Sequence, residues 1–419
     1  MADRDFDVVV FGASSVTGRR VAAYLGDRAP EVGLTWAAAG RDSRRVEQAL
    51  AGEGVTAAEV IEADVADPAS LEALAERAKV VLNLVGPYTL HGRPVIAACV
   101  AGGAHYVDLT GEIPFARRIT QAFDAPARQA GVKIVQVCGF EALPPDLGVL
   151  LAAETARERH GETLGEVDAT ISVRALPPGV PRPSDLMSGG TMQSLAEVVG
   201  DSDAPAIRDP ACLIDDRSRA ARVRELSPIT VAPRRGENGA AIAPMAPAAF
   251  INPAVIHRSA ALADPPQPPF RYREGFAIHG GAATLPLRLA AAAALSGVQA
   301  GTGAIAAAGP RLRARMSSFL TRALPSSGFG PRADRLEQWR WRLDVRAATQ
   351  GGSEVRVTVD GDGHPGYLTT ARLMGEAGLL LATPGATPDR AGCLTPALAL
   401  GTQEIKRFDA AGLRFVVAD

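Results

Sequence analysis

The chain has 419 residues, 47% of them hydrophobic and 21% charged. That composition fits a folded protein of two or three domains and excludes wholesale disorder. The 44 basic and 46 acidic residues give a formal charge of −2, so no global field gathers nucleic acid and none is expected as a partner.

Among the basic residues only Lys79, Lys133 and Lys406 are lysine, so amine chemistry has few candidates. Cys99, Cys138, Cys212 and Cys393 show no metal-ligand spacing. Neither disulfides nor a metal site is expected, and a reducing cytoplasm fits best. The opening MADRDFDVVVFG lacks the basic-then-apolar order of a signal peptide.

Residues 7–12 (DVVVFG) form an apolar run ending in glycine, the pattern of a strand buried on both faces. A helix is expected over 17–25, a strand over 34–40, a helix over 43–50 and a strand over 60–65. Asp67-Pro68 then opens a helix as N-cap and first residue. Strands follow over 79–86, 105–111 and 133–140, with helices around 94–101 and 114–129 between them. This alternation indicates crossover units. The expected fold class is α/β: an N-terminal Rossmann-type doubly wound parallel sheet over 1–148, then a second α/β (α+β) domain with a mixed sheet over 149–419.

The first strand leads into Gly12-Ala13-Ser14-Ser15-Val16-Thr17-Gly18, a GxxGxxG-like loop with Ser15 at its middle glycine. Gly12 suits the tight turn, and Gly18 close packing of helix on sheet. The helix N-terminus offers N–H groups to a pyrophosphate. Ser15 can donate to phosphate, or its Cβ can crowd the site. At the end of the second strand, where NAD sites carry an acid, stands Arg41, followed by Asp42, Ser43, Arg44 and Arg45. A guanidinium there pairs with a 2′-phosphate, so NADP(H) is the expected cofactor. Gly12, Ser14, Ser15, Val16, Thr17, Gly18, Arg41, Ser43, Asp64, Val85, Gly86, Pro87, Gly139 and Phe140 are the candidate cofactor residues.

Catalytic candidates lie beyond the carboxyl ends of the strands. Tyr88 can donate a proton or wall the cofactor. His91 is an acid or relay candidate, since histidine titrates near neutrality. Glu112 can bond substrate but is read first as a cap on the helix following it, Asp146 is a helix-start residue, and Cys138 can be a reactive thiol but is read first as an inert buried one. No tyrosine is followed four residues later by lysine, and P-loop, HExxH and GxSxG motifs are absent. Short-chain dehydrogenase, kinase, zinc-hydrolase and serine-hydrolase readings lose their support.

The second half alternates as strands over 167–174, 339–345 and 354–359, with a turn at 360–363 and a long apolar helix over 367–382. Residues 189–191 (GGT) are expected to border the substrate cleft, and the Pro-rich 244–269 reads as a linker or lid. The 21 residues from Leu289 to Gly309 carry no charge but are mostly Ala and Gly. With the arginines after them they form a helical insertion over 285–325. It reads as a hairpin packed on the domain, as a basic amphipathic surface for an anionic membrane or an acidic carrier protein, or, least favoured, as a transmembrane helix.

The segments FGASSVTGRRVAAYL, WAAAGR, VVLNLVGPYTLHGRPVIAACVAGGAHYVDLTGE and IVQVCGFEALPPDLGVL resemble the saccharopine dehydrogenase-like oxidoreductases, in the bacterial branch that includes trans-acting enoyl reductases. GYLTTARLMGEAGLLLA and GCLTPALALG resemble the C-terminal region of that family, whereas 200–345 resembles it only loosely. Two departures are Ser15 for glycine and Glu141 where aspartate is common. The resemblance implies an NADPH-dependent reductase acting on an enoyl thioester made by a separate polyketide synthase. A carrier-bound acyl substrate, an acyl carrier protein partner and a homodimer are the associated expectations. Alternatives are a C=N reductase of saccharopine type, which would need convergent arginines such as Arg174 and Arg182, and a non-catalytic NADP-binding scaffold. Residues 390–419 are expected to return to the first domain.

Overall fold

The computed structural model describes residues 4–178, 189–236, 239–245, 248–323 and 333–418. Strands β1 (Phe6–Phe11), β2 (Trp36–Gly40), β3 (Val60–Glu62), β4 (Ala78–Asn83), β5 (His105–Asp108) and β6 (Lys133–Val135) come first. Next are β7 (Leu164–Ala175), β8 (Arg234–Arg235), β9 (Ala241–Ala243), β10 (Arg271–Ile278), β11 (Arg340–Thr349), β12 (Glu354–Asp362), β13 (Gly392–Leu394) and β14 (Leu413–Val417). The early helices are α1 (Val16–Glu31), α2 (Ser43–Glu53), α3 (Pro68–Arg77), α4 (Tyr88–Gly102), α5 (Ile113–Gln129) and α6 (Leu143–His160). They are followed by α7 (Gly189–Gly200), α8 (Arg217–Leu226), α9 (Asn252–Leu262), α10 (Leu285–Ala306), α11 (Pro310–Ala323), α12 (Ala333–Leu336), α13 (Thr370–Ala382) and α14 (Pro396–Leu400).

The first sheet has the order β13-β6-β5-β4-β1-β2-β3, all parallel. Its β3-β2-β1-β4-β5-β6 core is the Rossmann order, reversing direction beside β1. The second sheet, β14-β12-β11-β7-β10-β9-β8, is mixed: β10 runs parallel to β7 and the other pairs are antiparallel. Both halves of the expected α/β fold are therefore present.

The strands end sooner than the apolar runs suggest, at Asn83, Asp108 and Val135 rather than 86, 111 and 140. The cause is side-chain competition for the backbone. Asn83 Oδ1 accepts the Val85 N–H at 3.0 Å, and Asp108 Oδ1 accepts those of Thr110 at 3.0 Å and Val137 at 3.2 Å. Each bond turns the chain out of the ladder, and Val137 is held at φ 61°, a strained setting for a β-branched residue. The fourth helix starts at Tyr88 instead of near 94. Glu112, fully buried, accepts the Tyr88 and Thr89 N–H groups at 3.0 and 2.7 Å. It therefore caps α4, not the helix that follows it.

Several second-half expectations also change. Residues 360–362 belong to β12 rather than a turn, because β11 pairs along all three, β14 along Asp360 and Gly361, and Gly361 lies beneath the Trp341 ring. The Pro-rich stretch is no linker: its described part includes α9, which is buried along Asn252–Ala260 and packs on α6. The return to the first sheet begins before 390. Helix α13 packs on α1 and β4, and Glu376 within it accepts from Tyr24 at 2.6 Å and Arg407 at 2.7 Å. Then β13 joins β6, while β14 stays with the second sheet. Continuous apolar packing joins both sheets, with Phe140 edge-on to Trp341 at 4.8 Å.

Candidate active site

The carboxyl ends of β1 to β6 open on a cleft of about 520 Å³. Ser14, Ser15, Val16 and Thr17 form its floor. Arg41, Arg45 and Asp64 lie on its wall at the ends of β2 and β3. Val85, Gly86, Pro87, Tyr88, His91, Thr110, Gly139 and Glu141 line the part beyond β4, β5 and β6. The second domain closes the remainder with Gln193, Ser194, Leu195, Val198, Ile207, Phe250, Ile251, Thr302 and Thr370.

The floor is shaped for a diphosphate. Gly12 has φ 88°, and a Cβ there would meet the Leu84 carbonyl carbon and the Val85 side chain at 3.0 Å. A Cβ on Gly18 would sit 2.2 Å from the Gly12 carbonyl oxygen. Gly18 is thus a packing residue and does not face the cleft, a correction to its place among the cofactor contacts. Ser15 is the N-cap of α1, its Oγ accepting the Gly18 N–H at 2.9 Å. With its oxygen occupied in that way, the hydroxyl proton is left to donate. Val16 and Thr17 lie in the first turn, where helix N–H groups have no intrahelical partner. The serine that replaces glycine therefore adds a donor to an intact cradle, and these residues fit a dinucleotide pyrophosphate.

Arg41 and Arg45 are exposed, one turn apart in sequence, and share the cleft wall. The intervening Asp42 accepts the Arg45 N–H at 3.1 Å as the α2 N-cap, so it acts as a cap rather than as a ribose ligand. Ser43 is absent from the cleft lining; its hydroxyl donates to Glu62 at 3.2 Å. Phe140 is likewise outside the cleft, its ring against Trp341. Arg41→Ala is expected to weaken NADPH binding about 10- to 100-fold, the loss of a charged hydrogen bond, while NADH binding stays within a factor of three. Titrating both nucleotides into the variant checks this.

Tyr88 stands in the wall with its hydroxyl already committed. It donates to the Asn83 carbonyl at 3.2 Å and accepts the Leu109 N–H at 3.4 Å. Burial and the neighbouring Asp108 carboxyl push the phenol well above its ordinary range. This geometry makes Tyr88 a wall residue and takes away its expected role as proton donor. Asp108 itself, bonded to Tyr106 at 2.9 Å, is raised to about 7 by burial. It holds the ends of β5 and β6 in place and does not reach the cleft. His91 does line it. Cys138 is buried, which pushes its thiol up and leaves it inert. Asp146 is buried and bonds Ser259 at 2.5 Å, away from the chemistry. Arg174 neighbours Asp344 in the second sheet, and Arg182 lies outside the described residues.

Glu141, noted in the sequence only as a departure from aspartate, is a functional candidate that motif reading gave no catalytic role. It lies in the loop between β6 and α6, lines the cleft, and burial raises its carboxyl above the ordinary glutamate value. Gly139 makes room for it: a Cβ there would lie 3.0 Å from Glu141 Oε2. The Phe140 N–H between them donates to Thr370 Oγ1 at 3.2 Å, so the start of α13 pins this loop. The available signal was position, an acid in the loop that leads from β6 into α6 at the carboxyl edge of the sheet.

A Rossmann sheet, a glycine-cradled cleft and a mixed-sheet domain closing over it are the parts of a dinucleotide-dependent oxidoreductase. Residues 8–135 match the family described as the saccharopine dehydrogenase NADP binding domain. A Mycobacterium tuberculosis (H37Rv) protein provisionally named a trans-acting enoyl reductase is 35% identical, over 98% of this chain and 97% of its own. The trans-acting enoyl reductase of Mycobacterium ulcerans (Agy99) is 31% identical with the same coverage. The chain belongs to this trans-acting enoyl reductase family, within the saccharopine dehydrogenase-like oxidoreductases. The structure of apo saccharopine dehydrogenase (L-Glu forming) from Saccharomyces cerevisiae superposes with a TM-score of 0.53, at 14% identity, over 98% of this chain and 99% of that one. That likeness concerns the fold alone. The protein is an NADP(H)-dependent reductase.

Proposed function

We propose that the protein reduces the activated C=C bond of an enoyl thioester carried by a polyketide synthase or acyl carrier protein. The observation that carries this reading is the chemistry of the second-domain wall. Leu195, Val198, Ile207, Phe250 and Ile251 are apolar. Among the described residues, the only arginines lining the cleft are Arg41 and Arg45, at the β2 end. An imine of saccharopine type carries carboxylates, and such a substrate calls for guanidinium groups on the substrate side. An acyl chain calls for apolar walls. The names of the relatives agree with the acyl reading.

When bound, NADPH supplies a hydride for the β-carbon. The chain's residues do the rest. The first turn of α1 and Ser15 hold the diphosphate, Arg41 and Arg45 meet the 2′-phosphate, and the apolar wall excludes water. Glu141 places a carboxyl within the cleft, and its protonated form is the proton source for the α-carbon. NADPH oxidation is expected with a medium- or long-chain enoyl thioester and not with an imine formed from an oxo acid and an amino acid. Turnover of the imine alone overturns the reading.

A further inference from the structure

Helix α10 has its polarity inverted for a soluble helix. Its buried stripe is Arg288, Ala292, Ser296, Gln299, Gly303 and Ala306. All its side chains that carry charge or an amide therefore face the domain. Arg288 donates to the carbonyls of Gly239 at 2.9 Å and Gly281 at 3.1 Å, and Ser296 to that of Ala292 at 2.8 Å. The outer face is Ala and Gly with Leu287 and Val298, which are 73% and 64% exposed and lie three turns apart on one side. Soluble helices place these classes the other way round. Among the described residues α10 is the one helix long and apolar enough to cross a bilayer, with mean hydropathy 1.4 over its most apolar 18 residues, yet only 28% of those are buried.

Helix α11 continues the surface. Leu312 and Phe319 are 52% and 60% exposed, beside the exposed Arg311, Arg315 and Arg322. From 285 to 323 there is no acidic residue, in a protein whose net charge is −2. An apolar face flanked by arginines is the composition that binds an anionic membrane interface. A second copy fits less well, because a two-fold contact would bring two acid-free, arginine-bearing surfaces together. A carrier protein fits less well because protein interfaces are laced with hydrogen bonds, roughly one per 100–200 Å². Over Leu285–Gly309 the outer face carries no charged or amide side chain, and the Thr302 hydroxyl, at its edge on the cleft side, is already bonded to the Val298 carbonyl at 3.1 Å.

We propose that α10 and α11 seat the protein on an anionic bilayer surface, α10 lying along the interface while its polar stripe stays docked on the domain. The same helix is a wall of the cleft. Thr302 lines it, and Gly303 approaches Phe250 so closely that a Cβ would be 2.9 Å from the ring. An acyl chain in the bilayer then reaches the cleft without crossing water. This delivery role rests on the enoyl reading above, whereas attachment does not.

Vesicle flotation of the full chain tests attachment separately from turnover. Binding is expected to phosphatidylcholine vesicles containing phosphatidylglycerol, weakening with salt. The triple variant R311Q/R315Q/R322Q is expected to bind roughly 100-fold less tightly. Leu287→Gln with Val298→Gln is expected to lose binding while keeping wild-type NADPH affinity, which shows that the fold is retained. No flotation at low salt, or equal flotation of these variants, overturns the proposal. So does a dimer in sedimentation that L287Q/V298Q dissociates, or saturable capture of an acyl carrier protein by this face without vesicle binding.

Discussion

Gly18→Ala is expected to abolish measurable NADPH binding, with an affinity loss of at least about 100-fold, and to lower the melting temperature. A Cβ at this position would lie 2.2 Å from the Gly12 carbonyl oxygen, and 2.8 Å from Ser15 Oγ. Both neighbours belong to the diphosphate floor, and one of them is backbone, so no side-chain rotation relieves the overlap. Either α1 moves away from β1, or the turn at Gly12 opens. Each movement displaces the first-turn N–H groups of Val16 and Thr17, on which the diphosphate depends. Overpacking of this kind costs about 1–3 kcal/mol in a well-packed site, and a misplacement near 1 Å costs a further large factor in function. Calorimetric titration of NADPH, with a thermal melt of the same sample, reads both effects. Ser15→Gly is the informative companion. It keeps the space but removes the cap and the donor, so its affinity is expected to fall by about tenfold at most. Wild-type affinity in Gly18→Ala would show that the helix terminus does not hold the cofactor.

The first domain was legible in the sequence because its signals are local. A run such as Phe6–Phe11, with a glycine after it, specifies a buried strand and the turn beyond. Asp67 before Pro68 marks a helix start, and it caps that helix by accepting the Ala69 N–H at 3.1 Å. The place of the loop after β1 and of Arg41 on the cleft was legible for the same reason. What was obscured depends on partners far along the chain. Tyr88 read as a donor from its place after β4, but the groups that occupy its hydroxyl lie five residues before and 21 residues after it. Glu112 caps a helix that starts 24 residues earlier and also accepts from Ser194 in the second domain at 2.8 Å. Ser43 and Phe140 sat beside the right residues in sequence, yet each turns to another partner, Glu62 or Trp341. Period-two and period-3.6 patterns report which side is buried, not which neighbour buries it. The same limit explains α13, whose apolar run predicted a buried helix but not its place against α1 and β4.

Glu141→Gln is expected to lower kcat by about 10²- to 10⁴-fold, the range for loss of a positioned acid, with NADPH affinity unchanged within about threefold. The acid lines the cleft, whereas the Tyr88 hydroxyl is engaged within the first domain. Burial raises the Glu141 carboxyl from 4.5, so it keeps its proton to higher pH than a solvated glutamate. The sign of the pH dependence follows. Rate depends on the protonated form, so wild-type kcat is level below the raised pKa and declines as pH rises through it. The Gln variant has no such limb. Stability moves in the same sense. A carboxyl whose folded pKa is raised favours the folded state below its unfolded value, and that contribution is lost as pH rises through the folded one. An amide cannot ionise, so Glu141→Gln is expected to melt close to wild type below the unfolded glutamate pKa and above wild type once pH exceeds the raised folded one. Loss of activity with gain of stability separates a catalytic acid from a structural one, whose removal would lower both. His91 also lines the cleft, and His91→Gln is the control, expected to retain most of the rate. If Glu141→Gln keeps wild-type kcat and the alkaline limb, and His91→Gln loses both, the proton comes through the histidine.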